Sequence, residues 1–202
     1  MTDIKDWVLA SANKGKIREL QDMLGGLGIN IIPQQDLGIE DAEETGLTFV
    51  ENAILKARHA AEKSGLPAIA DDSGLEVDYL KGAPGIYSAR FSGKGATDQS
   101  NLDKLMSEMQ GVPANRRYAR YQTVIAIMAH ATDPTPIICQ GTWEGEITFE
   151  EKGTEGFGYD PVFKPADTDC HAAELEKSVK NTISHRGKAI NQLLEKLKHK
   201  TL

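Results

Sequence analysis

Two adjacent acids, Asp71 and Asp72, follow the apolar run at residues 66–70 and are themselves followed by Ser73 and Gly74. The run predicts a buried strand that delivers both acids to its carboxyl end. In an open α/β sheet, this edge is where ligands and catalytic groups collect. Paired hard oxygen donors at such an edge suit Mg²⁺ and a phosphate substrate. The alternative is an ordinary turn, because acids next to Ser and Gly are common turn residues.

A lysine-containing loop at residues 11–16 is a second candidate site, in this case for an anion. Its sequence is SANKGK, and it connects a predicted strand at 7–10 to a predicted helix at 17–24. Free backbone N–H groups and the positive end of the helix dipole favour phosphate there, and Lys14 and Lys16 add positive charge. The alternative is a solvated loop without a ligand. The sequence contains no P-loop, dinucleotide-binding glycine pattern or zinc-protease motif.

Two later segments complete a set of groups suited to a nucleotide. Residues 184–188, SHRGK, place cations at a helix N-terminus, where the dipole disfavours them unless an anion or an electron-rich group compensates. The alternative is a helix cap whose charges point into water. Phe157 lies in a glycine-rich loop and is suited either to stack on a base or to pack in the core. Together with the acids and the lysine loop, these segments predict a magnesium, triphosphate and base site.

The apolar periodicity predicts helices and strands that alternate early in the chain and strands that follow one another later. The most regular helix begins at a capping box formed by Thr48 and Glu51 and is terminated by Gly65 and Pro67. The other predicted helices lie at 17–24, 102–109, 172–179 and from Ser184. The predicted strands lie at 7–10, 29–32, 66–70, 75–80, 118–130 and 136–147. The last two strands are expected to pair as an antiparallel hairpin. This order predicts a mixed α/β sheet flanked by helices on both faces, within a single domain over residues 1–202.

Charge and cysteine content argue against several classes of protein. Of the 202 residues, 23 are Lys or Arg and 30 are Asp or Glu, which gives a formal charge of −7. A general nucleic-acid binder needs a basic face, so no nucleic-acid partner is expected. Cys139 and Cys170 have no metal-ligand spacing, which predicts reduced thiols in a cytoplasmic protein. The N-terminus lacks the apolar stretch of a signal peptide, and the longest apolar run, 124–129, is too short to span a bilayer, so no membrane association is expected.

Six segments, in order along nearly the whole chain, resemble the inosine triphosphate pyrophosphatase family, in particular its bacterial dITP/XTP pyrophosphatases. They are SANKGK at 11–16, ETGLTFVENA at 44–53, ADDSGL at 70–75, GAPGIYSAR at 82–90, FGYDP at 157–161 and SHRGKA at 184–189. The resemblance implies two lobes with an active-site cleft between them, and a homodimer. It also implies a Mg²⁺-dependent hydrolase that cleaves non-canonical purine nucleoside triphosphates (ITP, dITP and XTP) to the monophosphate and pyrophosphate.

The resemblance also implies roles for individual residues. Asp72 corresponds to the acid that is both proton acceptor and magnesium ligand, and Glu44 to the second metal-associated acid. The positions that correspond to substrate-binding residues are Ser11, Ala12, Asn13, Lys14, Gly15, Lys16, Lys56, Ser73, Phe157, Gly158, Tyr159, Asp160, Lys180, His185 and Arg186. Ser11 departs from the family, where Thr is more usual, but the hydroxyl group is kept.

The chemistry of such a site leaves one assignment open. Water attack at the α-phosphorus requires charge neutralisation and positioning, which a metal ion held by Glu44 and Asp72 and nearby lysines would supply. Either Asp72 or Asp71 would orient and deprotonate the water, because a tightly bound cation depresses the proton affinity of its ligand. Donors from His185 and Arg186 would favour a 6-oxo purine over adenine. How guanine is rejected is not apparent from the sequence.

Three other functions are compatible with parts of the pattern. The same acids and lysines would serve a pyrophosphatase acting on pyrimidine or modified nucleotides. A nucleotide-binding regulator without turnover would use Asp72 only as a metal ligand. A purely structural protein is the weakest alternative, because it would not need three clusters of phosphate-compatible residues.

Overall fold

The computed structural model describes residues 5–25 and 28–198. Its strands are β1 Lys5–Leu9, β2 Ile29–Pro33, β3 Ala68–Val77, β4 Tyr118–Met128, β5 Ile137–Ile147 and β6 Phe163–Pro165. Its α-helices are α1 Lys14–Leu24, α2 Phe49–Ser64, α3 Asp98–Glu108, α4 Lys177–Ile183 and α5 His185–Leu197. Among these described residues, no helix is long and apolar enough to cross a membrane.

The six strands form one mixed sheet in the order β2-β1-β3-β4-β5-β6. β1 is parallel to both β2 and β3, whereas β5 and β6 are antiparallel. The predicted mixed α/β class is therefore confirmed, and β4 and β5 are neighbours as predicted. The chain divides into two compact units: the first comprises residues up to 72, 124–140 and from 189 onward, and the second comprises 73–123 and 141–188. The predictions of a cleft between two lobes and of one domain over residues 1–202 stay predictions.

In the first unit, apolar cores lie on both faces of the strands. Successive side chains of β1 point to opposite faces. Trp7 and Leu9 pack in one cluster with residues of α1 and α5. Val8 and Ala10 pack in the other, against the alanines of α2: Ala53, Ala57, Ala60 and Ala61. Because alanines allow a close approach, α2 lies directly against β1 and β3 and brings its polar residues near the strand acids.

In the second unit, the core lies on one face of the strands and a polar network on the other. Tyr121, Trp143 and Phe163 pack together, with the Tyr121 and Phe163 ring centroids 4.8 Å apart. On the opposite face, Arg120 pairs with Asp78 at 2.7 Å and with Glu144 at 3.0 Å. The two faces follow from the alternation of successive side chains along β4 and β5.

The α2 helix begins at the predicted cap residue, Thr48. The Thr48 hydroxyl accepts a hydrogen bond from the Glu51 backbone N–H at 3.3 Å. The Glu51 carboxylate in turn accepts from the Leu47 backbone N–H at 2.9 Å. Gly65 ends the helix in a left-handed conformation (φ 70°), which a residue with a side chain rarely adopts.

The largest departure from the sequence prediction concerns the two adjacent acids. The turn that was the alternative at 71–74 and the separate strand predicted at 75–80 are both wrong, because β3 runs without interruption from Ala68 to Val77. The strand that ends here is its parallel neighbour β1, whose Leu9 is paired with Ile69. Asp71 and Asp72 therefore lie just beyond the carboxyl end of β1 although they are in the middle of their own strand. The acids are at the predicted edge, for a different reason.

A smaller departure concerns the segment before the last helix. The short helix predicted at 172–179 is replaced by a 3₁₀ turn at Ala172–Glu174 followed by α4, Lys177–Ile183. The turn is fixed by His171, whose ring contacts the Glu174 carboxylate at 3.1 Å and the Thr148 hydroxyl at 3.0 Å. A side chain held on both sides in this way stabilises a tight turn in place of a regular helical start.

Arg117 is a buried charge whose loss we expect to destabilise the second unit strongly. It is 3% exposed, and its guanidinium group donates to four backbone carbonyls, those of Met109, Val112, Ile147 and Thr148. Arg117→Met leaves these acceptors without their donor and should lower the free energy of unfolding by about 3 kcal/mol or more. Urea unfolding followed by circular dichroism measures this change.

The neighbouring Arg116 provides the matched control for that substitution. Its guanidinium lies over the Tyr79 ring at 4.9 Å and the residue is exposed. Arg116→Met should therefore change the free energy of unfolding by less than about 1 kcal/mol. Equal effects of the two substitutions would contradict the structural role given to Arg117.

Candidate active site

Five charged side chains of the first unit form an acid–lysine cluster, which we define as Glu44, Asp71, Asp72, Lys16 and Lys56. The two aspartates come from β3, Lys16 from the first turn of α1, Lys56 from the middle of α2, and Glu44 from the segment that precedes α2. Ion pairs connect members of this cluster. The structure therefore brings together both predicted metal acids and two of the predicted phosphate-binding lysines.

Lys56 is the centre of the cluster. Its ammonium group lies 2.7 Å from Oδ1 of Asp72 and 3.1 Å from Oε1 of Glu44. It also donates to the backbone carbonyl of Asp71 at 2.9 Å. The side chain is 14% exposed, so these contacts are largely shielded from solvent. One ammonium group thus contacts both acids for which a metal-binding role was predicted.

Asp71 has a different environment from Asp72. Its side chain is fully buried and forms an ion pair with Lys16. A carboxylate that is wholly buried against an ammonium group is suited to hold that group in place. The open choice between the two aspartates now has a structural basis: Asp71 fixes Lys16, whereas Asp72 belongs to the pair of acids around Lys56.

Burial and neighbouring charges shift the pKa values of Asp72 and Lys56. Burial raises the pKa of Asp72, and the nearby Lys56 and Lys16 offset only part of that effect. Burial alone lowers the pKa of Lys56, but attraction to Asp72, the hydrogen bond between them and the charges of Glu44 and Asp71 outweigh it, so the pKa is raised. Lys56 is therefore a firmly charged ammonium group next to a carboxylate whose ionised form is disfavoured.

The donor set around Lys56 fits a divalent ion of the Mg²⁺ type. Glu44 and Asp72 already contact one cation in common, namely the Lys56 ammonium group. Mg²⁺ is usually held by one or two carboxylates and completes its coordination with water and substrate phosphates. The described residues contain no group of three or more His, Cys, Asp or Glu side chains arranged for a metal. Two carboxylates that contact one cation in common thus fit a magnesium ion whose remaining ligands are water and substrate phosphates.

Asn52 and Gly46 hold the segment that carries Glu44 against α2, and sequence reasoning missed this. The Asn52 carbonyl oxygen accepts from the Gly46 backbone N–H at 2.8 Å. A Cβ atom on Gly46 would lie 2.6 Å from that oxygen, so a side chain there would force the segment away. Asn52 is fully buried, and an asparagine in a helix interior needs such a partner. The asparagine inside a predicted helix was the sequence signal that could have indicated this contact.

The predicted anion loop at residues 11–16 is organised by its own side chains. The Asn13 carbonyl oxygen accepts from the backbone N–H groups of Gly15 and Lys16 at 2.9 Å and 3.1 Å, and Ser11 Oγ accepts from the Asn13 N–H at 3.2 Å. The prediction of free N–H groups is therefore wrong for Gly15 and Lys16. Asn13 caps α1, an ordinary role for asparagine at this position. Ala12 is exposed, and the side chain of Lys14 lies outside the described part of the structure.

In the second unit, residues 156–160 form what we call the aromatic loop. Asp160, buried at 3% exposure, accepts from the Phe157 backbone N–H at 2.9 Å and from the Lys180 ammonium group at 2.6 Å. The Phe157 ring is only partly buried and lies 5.3 Å from Lys180 Nζ. A Cβ on Gly156 would lie 2.1 Å from the Asp160 carboxylate. The loop is therefore fixed around a half-exposed ring.

Two further contacts fix the aromatic loop, and neither was predicted. Asp98, at the start of α3, accepts from the Gly158 backbone N–H at 3.0 Å. The buried Tyr159 donates its hydroxyl hydrogen to the Ser88 carbonyl at 2.7 Å. Both partners lie about sixty or more positions away along the chain. No local sequence signal connects them to the loop.

His185 and Arg186 begin α5 and are buried, which excludes the alternative that their charges point into water. The two residues are 7% and 3% exposed. The His185 ring is stacked on Tyr121 with centroids 4.8 Å apart. Arg186 donates to the Ser73 hydroxyl at 3.3 Å, and its guanidinium lies 5.9 Å from the centre of the Phe157 ring. The second unit thus brings together Ser73, Phe157 and Arg186 from three distant segments.

The predicted cap of α5 is confirmed, and it also explains the glycine of the SHRGK segment. Ser184 Oγ accepts from the Gly187 backbone N–H at 3.2 Å. A Cβ on Gly187 would lie 2.1 Å from the Asn181 carbonyl oxygen in α4. Gly187 therefore permits the close contact of α4 with α5 that places Lys180 and Arg186 near the same ring.

Comparison with known proteins gives consistent results along the whole chain. The family model described as Ham1 family matches residues 7–196. A dITP/XTP pyrophosphatase of Escherichia coli (strain K12) is 57% identical over 192 residues, which covers 95% of this chain and 98% of that protein. One of Photobacterium profundum is 54% identical over 191 residues, covering 95% and 97%.

Solved structures resemble the fold described above. A HAM1 protein from Coxiella burnetii has a TM-score of 0.90 at 48% identity and covers 97% of this chain and 100% of its own. The Staphylococcus aureus Ham1 protein has a TM-score of 0.85 at 40% identity, covering 96% and 98%.

The raised pKa of Asp72 predicts that neutralising this residue does not destabilise the metal-free protein. Between the unfolded and the higher folded pKa, the folded state binds more protons, so the free energy of unfolding falls as pH rises through that interval. In EDTA at pH 7.5, Asp72→Asn should be at least as stable as the wild type, and the difference should shrink as pH is lowered through the folded pKa. Urea unfolding at several pH values measures this.

Asp71→Asn is the contrasting substitution. It removes the carboxylate of a fully buried side chain paired with Lys16 and should lower the free energy of unfolding by about 3 kcal/mol. A wild type clearly more stable than Asp72→Asn at pH 7.5 would contradict the environment assigned to Asp72.

Proposed function

Since the chain belongs to the Ham1 family, we propose that it hydrolyses non-canonical purine nucleoside triphosphates (dITP, ITP and XTP) to the monophosphate and pyrophosphate. The names of the relatives support this substrate class. The observation that carries the proposal is the acid–lysine cluster, in which one ammonium group contacts both Glu44 and Asp72. Such a pairing of carboxylates with cations is suited to bind Mg²⁺ together with a triphosphate.

The phosphates bind at the acid–lysine cluster in this proposal. Glu44 and Asp72 would hold Mg²⁺, which would supply charge neutralisation at the phosphate oxygens. Lys16 is kept in place by Asp71, and Lys56 lies 2.7–3.1 Å from its carboxylate partners, so both ammonium groups are near the bound phosphates before the chemical step begins. Lys14 and the capped loop around Ser11, Ala12, Asn13 and Gly15 complete the phosphate contacts. Pre-oriented cations lower the barrier because they need no reorganisation during the reaction.

Asp72 is the proposed proton acceptor. Water attacks the α-phosphorus, its proton passes to the Asp72 carboxylate, and the bond to the β-phosphate oxygen breaks to release pyrophosphate. Burial raises the pKa of Asp72 in the metal-free cluster, whereas a metal ion held by the same carboxylate would lower it, so the proton affinity of Asp72 during the reaction depends on how tightly it holds the metal. Asp71 is a positioning residue instead, because its fully buried side chain is committed to Lys16. This division is our proposal for the choice that the sequence left open.

The purine binds at the aromatic loop of the second unit. The half-exposed Phe157 ring offers a stacking surface, and Arg186 next to it offers donors to a 6-oxo group. The family resemblance implies four further substrate contacts in this unit: Ser73, Gly158, Lys180 and His185. Tyr159 and Asp160 act mainly by shaping the loop, since both are buried, Asp160 accepts a hydrogen bond within the loop, and Tyr159 ties the loop to the Ser88 carbonyl.

Three features of the whole protein belong to the proposal. We expect a homodimer, which the exposed aromatic residues of the second unit support as candidate contact surface: Tyr79, Tyr87, Tyr118 and Phe149. We expect a single functional domain over residues 1–202. The two free cysteines, Cys139 and Cys170, support a cytoplasmic location, and the net charge of −7 supports a substrate other than nucleic acid.

The decisive assay compares turnover of ITP, XTP, GTP, ATP and UTP with Mg²⁺ while pyrophosphate and phosphate are measured separately. The proposal expects pyrophosphate from ITP and XTP, with much slower release from the other three. Fast turnover of UTP would instead favour a pyrimidine or modified-nucleotide pyrophosphatase. Tight binding of ITP without any product would favour a regulator.

Substitution of the two aspartates should affect different steady-state kinetic parameters. Asp72→Asn removes the proton acceptor and should lower kcat for ITP by about 10²- to 10⁴-fold. Asp71→Asn disturbs the position of Lys16 and should mainly raise KM, with kcat within about tenfold of the wild type. Glu62→Gln, an exposed acid on α2, is the control and should change neither. Near-normal turnover by Asp72→Asn would overturn its assignment.

Arg186 should determine discrimination between 6-oxo and 6-amino purines. Arg186→Ala removes a buried donor, so the ratio of kcat/KM for ITP to that for ATP should fall by about tenfold or more. Arg116→Ala, an exposed arginine of the same unit, should leave the ratio unchanged. An unchanged ratio in Arg186→Ala would show that groups other than Arg186 distinguish 6-oxo from 6-amino purines.

A further inference from the structure

Lys56 occupies the position between the two acids that the proposed function assigns to Mg²⁺. We propose that Lys56 is an internal counter-ion that competes with free divalent metal, so that metal binds well only together with the triphosphate. This inference rests on the proposed function, because it concerns the same two carboxylates. It adds a regulation of metal occupancy by substrate.

The contacts of Lys56 support competition with the metal. Its Nζ atom lies 2.7 Å from the Asp72 carboxylate and 3.1 Å from the Glu44 carboxylate. A metal ion bound by both carboxylates would have to lie close to this ammonium group. Like charges at such short range repel strongly in a partly buried site, because solvent screening is weak there.

The backbone around Lys56 keeps the ammonium group in place. Lys56 lies in the middle of the sixteen-residue helix α2, between Ala53 and Ala57, which are fully buried against the strands. A third contact, with the Asp71 carbonyl at 2.9 Å, holds the side chain toward β3. Lys56 is therefore pre-positioned over the carboxylates by packing as well as by charge.

The charge balance of the cluster predicts how the competition is relieved. Three carboxylates and two ammonium groups carry a formal charge of −1 when all are ionised. Without the Lys56 charge the balance is −2, which attracts a divalent cation more strongly. A triphosphate brings new acceptors for the Lys56 ammonium group, so the carboxylates become available to the metal. By linkage, nucleotide and metal then raise each other's affinity.

Binding of Mn²⁺ to the full-length, nucleotide-free protein tests the inference without catalysis. Electron paramagnetic resonance of free Mn²⁺ gives the dissociation constant for the wild type, Lys56→Gln and Lys56→Arg. We expect Lys56→Gln to bind Mn²⁺ about tenfold more tightly than the wild type. Lys56→Arg keeps the charge and should bind within about threefold of the wild type. Adding Asp72→Asn to Lys56→Gln should abolish the gain.

Unchanged or weaker Mn²⁺ binding by Lys56→Gln would overturn the inference. Circular dichroism confirms that the variant is folded, and Lys56→Met provides a second neutral side chain if the glutamine variant does not fold. A wild type that releases pyrophosphate from ITP, together with unchanged Mn²⁺ binding in Lys56→Gln, contradicts the inference alone. Tighter Mn²⁺ binding without wild-type turnover supports the competition and contradicts the proposed function.

Discussion

The placement of three carboxylates beside two lysines in one compact unit is the constraint on which the rest of the site depends. Carboxylates this close together repel one another and are costly to bury unless cations lie next to them. Lys16 forms an ion pair with the fully buried Asp71, and Lys56 forms ion pairs with Asp72 and Glu44. The negative charge that remains on the cluster favours binding of a divalent cation. The carboxylates that allow the cluster to bind a cation are therefore the same ones that are costly to bury.

The fold positions this cluster through unequal strand lengths and close helix packing. β1 ends at Leu9 while its parallel neighbour β3 continues to Val77, so the acids of β3 meet the loop and helix that follow β1. The alanine face of α2 brings Lys56 over the same strand. In the second unit, Asp98 and the Tyr159 hydroxyl fix the aromatic loop before any ligand arrives. A ring that is already ordered would lose less entropy on binding the base in the proposed function.

Local sequence patterns predicted much of this arrangement, and long-range geometry accounts for what they missed. The helix caps at Thr48 and Ser184 were readable because capping depends on residues three positions apart. The predicted break between the strands at 66–70 and 75–80 was wrong because turn-forming residues also occur inside a long strand whose neighbours decide its conformation. The choice between Asp71 and Asp72 was not readable, since it depends on which lysine of another element reaches each carboxylate. Asp98 was missed because its partner lies sixty positions away.

Hydrolysis of ITP in ¹⁸O-labelled water tests the central claim most directly, because it reports which phosphorus atom the water attacks. If the acid–lysine cluster directs water to the α-phosphorus, mass spectrometry should find one ¹⁸O atom in inosine monophosphate and none in the released pyrophosphate. Label in pyrophosphate, or release of labelled orthophosphate in its place, would contradict the account.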